Sequence, residues 1–190
     1  MRTVLLDLGP LAHLAGEGAL VGARMSDNES LVSAAGMGIV VIDGVIESIQ
    51  ESSGLEEEYG SEAKHSDELR VVSLDGHAVI PGLVDGHNHL IWAGDRSNEL
   101  TLKQQGMSYQ EIAAMGGGIQ HTVHQTEQAS DEQLLQLGYQ RMRSALLHGT
   151  THMETKSGYG LSTRSELTLL RVAQQLSQMS HLPSMELTWL

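Results

Sequence analysis

Along residues 1–78 the apolar positions come in short runs closed by turn residues. Residues 38–43 and 45–49 flank Asp43-Gly44, a dipeptide that tolerates positive φ at both positions and so predicts a tight hairpin. Residues 51–68 are acidic and rich in Ser and Gly, the composition of an exposed loop that buries too little apolar surface to fold alone. Residues 70–74 resume a strand, and Asp75-Gly76 turns it.

From residue 79 the period changes. A short apolar run, 79–84, reads as a strand. Ser108-x-x-Glu111 is a capping box opening a short helix that Gly116, Gly117 and Gly118 end. Ser130-Asp131-Glu132-Gln133 is a second box, heading a helix whose Leu135, Tyr139, Met142 and Leu146 recur every three or four residues and which stops at Gly149. A strand over 150–155 follows. Thr163-x-x-Glu166 caps a third helix carrying Leu167, Leu170 and Leu176, and Pro183 precedes a final run over 185–190. Strands alternating with helices predict an α/β fold of parallel βα units, with functional groups at the carboxyl ends of the strands.

Composition narrows the partners. The 24 acidic and 11 basic residues give a formal charge of -13, which argues against nucleic acid and against an anionic membrane surface. There is no cysteine, so metal chemistry must use nitrogen and oxygen ligands. Asp7 interrupts the N-terminal apolar run too early for a signal-peptide core, and a cytoplasmic protein is expected. Oligomeric state is not legible, with a homodimer among the options.

The chemistry gathers in residues 79–90, V-I-P-G-L-V-D-G-H-N-H-L. His87 and His89 stand two apart on an extended segment, where alternate side chains point the same way, so both imidazoles can reach one cation. Ten histidines in 190 residues make some such pair expected by chance, so the surroundings decide. The others earn less: His121 and His124 read as solvated or packing residues, His148 and His152 flank a helix end, and His13, His65, His77 and His181 stand alone.

The surroundings are specific. Pro81-Gly82-Leu83-Val84-Asp85-Gly86-His87 resembles the lead-in to the metal-binding His-x-His of the amidohydrolase superfamily. Trp92-Ala93-Gly94-Asp95-Arg96-Ser97-Asn98-Glu99, then Tyr109-Gln110-Glu111-Ile112 with Gly116-Gly117-Gly118-Ile119, then Glu154-Thr155-Lys156-Ser157-Gly158-Tyr159-Gly160 resemble, in that order, blocks of the imidazolonepropionases. The resemblance is clear from about residue 79 onward and faint before it.

That resemblance implies residues 79–190 are the first three βα units of a TIM-like (β/α) barrel, incomplete because a full barrel typically needs ~250 residues. It implies that residues 1–78 are part of a small composite β-sandwich. His87 and His89 would then bind one zinc or iron ion. Arg96 would meet the propionate of a small-molecule substrate, 4-imidazolone-5-propanoate, and Tyr159 would hold substrate or product. The bland alternatives are a surface ion pair of Arg96 with Asp95 or Glu99, and an ordinary loop tyrosine. Lys156 reads as an ion-pair partner of Glu154, Asp85 as a turn residue, and Asn88 as pointing away from the metal.

The implied activity is hydrolysis of a cyclic amide C–N bond in histidine degradation, giving N-formimidoyl-L-glutamate. The further histidines and acids such a site requires have no counterpart in these 190 residues. The chain therefore reads as an N-terminal fragment, inactive alone, of that enzyme. Two rivals are another amidohydrolase, such as a deaminase or cyclic-ureide hydrolase, and a non-enzymatic truncated remnant.

Overall fold

A computed structural model describes residues 1–13, 21–26, 31–60 and 68–190. The chain divides into two compact units, Met1–Pro81 and Gly82–Leu190.

In the first unit, β1 (Arg2–Leu6), β4 (Met37–Ile42), β5 (Val45–Glu51) and β6 (Leu69–Ser73) form one sheet in the order β5-β4-β1-β6. Strand β1 runs antiparallel to β4 and parallel to β6. The short β2 (Leu11–Ala12) and β3 (Val32–Ser33) pair separately. The predicted hairpin is β4–β5, turning at Asp43 (φ 50°) and Gly44 (φ 85°), a geometry that twists with the strands it joins.

The loop expected over 51–68 is corrected in part. Ser52–Tyr59 is a helix, α1, and Leu55 within it is fully buried with Val4, Leu6, Val40 and Leu69. One well-placed leucine anchors an otherwise polar helix to the sheet, which an average over composition conceals. Residues 61–67 of that stretch, His65 included, lie outside the described residues.

In the second unit, β7 (Leu83–Asn88), β8 (Thr150–Lys156) and β9 (Ser184–Thr188) form a wholly parallel sheet in the order β7-β8-β9. Helices α2 (Asn98–Gln104), α3 (Tyr109–Ala114), α4 (Gly118–Gln128) and α5 (Asp131–Leu147) lie between β7 and β8, and α6 (Thr163–Ser177) between β8 and β9. This is the predicted βα alternation, with several local corrections.

The first strand of this unit begins at Leu83, not at residue 79. Val79 instead bridges to Leu11 in the first unit, since Pro81 has no N–H to carry a ladder onward. After Trp92 the chain turns into α2 at Asn98. Both Ser108 and Ser130 form complete capping boxes, but Gly118 opens α4 rather than simply closing α3.

Helix α5 buries Leu134, Gly138 and Met142, leaving Leu146 exposed. Met142 lies on the predicted line, and Leu135 and Tyr139 are partly buried against the same core, but the fully buried positions before it are Leu134 and Gly138, one residue off Leu135 and Tyr139. Gly138 is the reason: a Cβ there would stand 2.6 Å from Leu176 and 2.7 Å from Ile91, so the contact line runs through a position with no side chain. Helix α6 is capped by Ser162, not Thr163, and packs Leu169, Val172, Ala173 and Leu176 with Leu90, Ile91, Leu134, Met142 and Met153.

Candidate active site

The polar residues singled out from the sequence sit at the carboxyl ends of β7 and β8. Strand β7 does not run in simple register with β8. Asp85 faces Met153 and Asn88 faces Thr155, so β7 carries one extra residue between them. Such a bulge bends the strand and re-aims its side chains. Here it falls at Gly86 and His87, held by Asp85, whose carboxylate accepts from the His87 amide (3.2 Å) and from Asn88 Nδ2 (3.1 Å). Asn88 Nδ2 also donates to the Glu154 carbonyl (2.8 Å). Asp85 thus folds the turn.

The two imidazoles are neighbours despite the bulge. Their ring centroids are 5.8 Å apart with planes at 78°. His87 is exposed and His89 half-buried. Nδ1 of His89 is buried with no hydrogen-bond partner. A buried, unpaired ring nitrogen is costly unless a proton donor, water or cation meets it. Among the described residues no three His, Cys, Asp or Glu side chains gather closely enough to hold a metal ion by themselves. The pair therefore fits part of a metal site, not a whole one.

Tyr159 joins them. Its ring centroid is 5.4 Å from that of His89 and 6.3 Å from that of Trp92. Gly158, at φ 136°, brings its backbone against His89: a Cβ there would be 3.0 Å from Cε1 and 3.3 Å from Nδ1. The backbone conformation thus favours glycine, and a Cβ would crowd the His89 ring.

Arg96 makes the ion pair with Glu99 that stood as the alternative to a substrate contact. Its Nε and Nη2 donate to the two oxygens of the buried Glu99, each at 2.9 Å. The fork predicted for a substrate carboxylate is filled by this ion pair, leaving Nη1 at its edge. The Gly118 amide also donates to Glu99 Oε1 (2.7 Å). Hydrogen bonds from Arg96 and then from Gly118 hold the Glu99 carboxyl below its usual range, and the Glu99 partner raises the guanidinium in turn. Tyr109 and Tyr159 both lie within electrostatic reach of Arg96.

Lys156 pairs with Glu154 (2.7 Å), as the sequence suggested, and Thr188 Oγ1 donates to the same Glu154 oxygen (2.7 Å). The Lys156 bond chiefly, then that from Thr188, lowers the Glu154 carboxyl, with a small contribution from His87 nearby. His121 and His124 lie on α4, His121 half-buried and His124 exposed.

Two residues were missed by sequence reasoning. Arg141 lies on α5 with no acidic residue three or four positions away, a hint that its charge is used elsewhere. Burial holds its guanidinium below the ordinary value. Glu166, assigned to a capping box, is buried and instead accepts from the amides of Gly158, Gly160 and Leu161. Two surface clefts of this unit are lined mostly by residues of α4, α5 and α6, and neither by His87, His89, Arg96 or Tyr159.

The fold is similar to that of solved amidohydrolases. The chain superposes on an amidohydrolase with a TM-score of 0.52 at 13% identity, over all of this chain and 32% of that one. A Xaa-Pro dipeptidase gives a TM-score of 0.52 at 16% identity, over 98% of this chain and 33% of that one. By sequence the chain is similar to the N-terminal portion of imidazolonepropionases. It is 41% identical over 175 residues to the imidazolonepropionase of Symbiobacterium thermophilum, covering 92% of this chain and 39% of the relative. It is 40% identical over 157 residues to that of Haloarcula marismortui (83% and 36%) and 51% identical over 107 residues to that of Vibrio vulnificus (56% and 26%). The chain thus spans well under half the length of these relatives. No protein-family model matches it. Among the described residues no helix is long and apolar enough to cross a membrane.

Proposed function

We propose that this chain contributes the first part of an imidazolonepropionase, a metal-dependent hydrolase that opens the cyclic amide of 4-imidazolone-5-propanoate to N-formimidoyl-L-glutamate in histidine degradation. The observation that carries the reading is His89, its ring set between His87 and Tyr159 and its Nδ1 buried without a partner. In this reading Gly82–Leu190 is the start of a (β/α) barrel, Met1–Pro81 is part of a composite β-sandwich, and the protein works in the cytoplasm.

His87 and His89 would hold a zinc or iron ion together with ligands from beyond these residues. Once bound, such an ion supplies a water acidified towards pKa ~7 and polarises the ring carbonyl. The chain's own residues bind and orient the substrate. Arg96 offers Nη1 to the propionate while Glu99 fixes the rest of its guanidinium, so the charge is aimed before the substrate arrives. The Tyr159 phenol, beside His89, donates to an oxygen of the substrate and closes one side of the site. The Lys156–Glu154–Thr188 group holds the ends of β8 and β9 together.

The test is a chimera of this chain with the remaining C-terminal segment of the Symbiobacterium thermophilum relative, assayed for release of N-formimidoyl-L-glutamate. Turnover that disappears in His87→Ala and His89→Ala, and that shows a raised KM in Arg96→Gln, supports the reading. Turnover indifferent to the histidines contradicts it.

A further inference from the structure

The carboxylate of Glu166 is 4% exposed, and no salt bridge to it exists among the described residues. Its partners are three backbone amides: Gly158 donates to Oε2 (2.6 Å), and Gly160 and Leu161 donate to Oε1 (2.7 Å each). These amides bracket Tyr159. An acid in the first turn of a helix ordinarily faces solvent and favours the helix dipole, but that turn is already capped by Ser162, whose Oγ accepts from the Ser165 amide (3.2 Å). The Glu166 side chain is thus free to turn back over the preceding loop.

The loop requires such a hold. Leu161 sits at φ 49°, a conformation that a residue with a Cβ avoids unless its surroundings impose it. Gly158 is left-handed as well, and Gly160 presses on the start of α6, where a Cβ would be 2.6 Å from the Glu166 nitrogen. Three unusual positions within four residues around one tyrosine, all tied to one buried carboxylate, make a built device and not a loose turn.

We propose that Glu166 is the positioning residue of the Tyr159 loop, its carboxylate gathering the amides of Gly158, Gly160 and Leu161 so that the phenol stands against His89. The value of this placement for substrate handling rests on the reading of Tyr159 given above, whereas the clamp itself does not.

Hydrogen exchange and ring-to-ring nuclear Overhauser contacts, measured by NMR on the 190-residue chain, test it without metal or substrate. In Glu166→Ala the three amides should exchange roughly tenfold to a hundredfold faster and the Tyr159–His89 contact should vanish, while β8 amides keep their protection. In Glu166→Gln the side-chain carbonyl still accepts from Gly160 and Leu161, but its amino group opposes the Gly158 N–H. Protection should fall at Gly158 alone and the ring contact should persist. Retention of the ring contact and all three protections in Glu166→Ala would overturn the proposal. So would an even loss of protection across β8 and α6 in both variants, which would make Glu166 a residue of general stability. If instead the clamp is found but Tyr159→Phe leaves turnover of the chimera unchanged, the substrate reading of Tyr159 falls and the positioning role stands.

Discussion

Arg141 lays its guanidinium over the indole of Trp92, Cζ 3.7 Å from the ring centroid, while Nη1 donates to the carbonyls of Leu90 (2.7 Å) and Trp92 (2.9 Å). These carbonyls belong to the chain leaving His89, so helix α5 grips the exit of the histidine strand. Arg141→Leu should cost about 2 to 4 kcal/mol, from two charge-assisted hydrogen bonds and a cation–π contact in a half-buried setting. Urea unfolding followed by tryptophan fluorescence measures this. Arg141→Lys should recover only part, because an ammonium cannot both stack on the indole and bridge two carbonyls.

The Arg96–Glu99 pair makes a pH prediction. The Glu99 carboxyl is held below its ordinary range in the folded chain, first by Arg96 and then by the Gly118 amide. As pH falls, the unfolded chain therefore takes up this proton before the folded one does. The stability the pair contributes is complete above the ordinary glutamate range and is lost as pH drops through the lowered value. Thermal melts of wild type and Glu99→Gln should differ most at neutral pH and converge as the pH falls below the ordinary glutamate range and through the lowered value. A difference that stays constant with pH would mean that the carboxylate charge contributes nothing.

Met142 tests the core beneath the site. It is fully buried beside Leu134, Met153 and Leu176, and Met142→Ala should cost about 2 to 5 kcal/mol, the usual cost of emptying such a position. Zinc uptake by the chimera carrying Met142→Ala, at a temperature where it is folded, should be unchanged. Selective loss of zinc from a folded Met142→Ala would mean that the core and the histidine pair are coupled more directly than their positions suggest.

How much could be read from the residues alone depended on how local the determinants were. The hairpin at Asp43-Gly44, both serine capping boxes and the βα alternation rest on short-range chemistry, and all are present. The errors came where tertiary contacts decide. Ser52–Tyr59 is a helix because Leu55 finds a sheet to cover, and the buried line of α5 runs through Gly138 because two neighbours fill its missing side chain. At the site, the histidines, Arg96 and Tyr159 could be nominated by motif. What holds them was legible only in part: the Arg96–Glu99 pair stood among the alternatives, but Arg141 reaches across about fifty residues of chain to Leu90, and a bulge shifts His87 out of simple alternation.

Equilibrium dialysis against zinc of the chimera that completes the chain with the relative's C-terminal segment, beside its His87→Ala and His89→Ala variants, tests most directly whether these two imidazoles share an ion. The unsubstituted chimera should retain zinc that each single variant loses, since neither ring holds the ion well alone. Equal uptake by all three proteins would contradict a shared site at the end of β7, and the hydrolase reading with it.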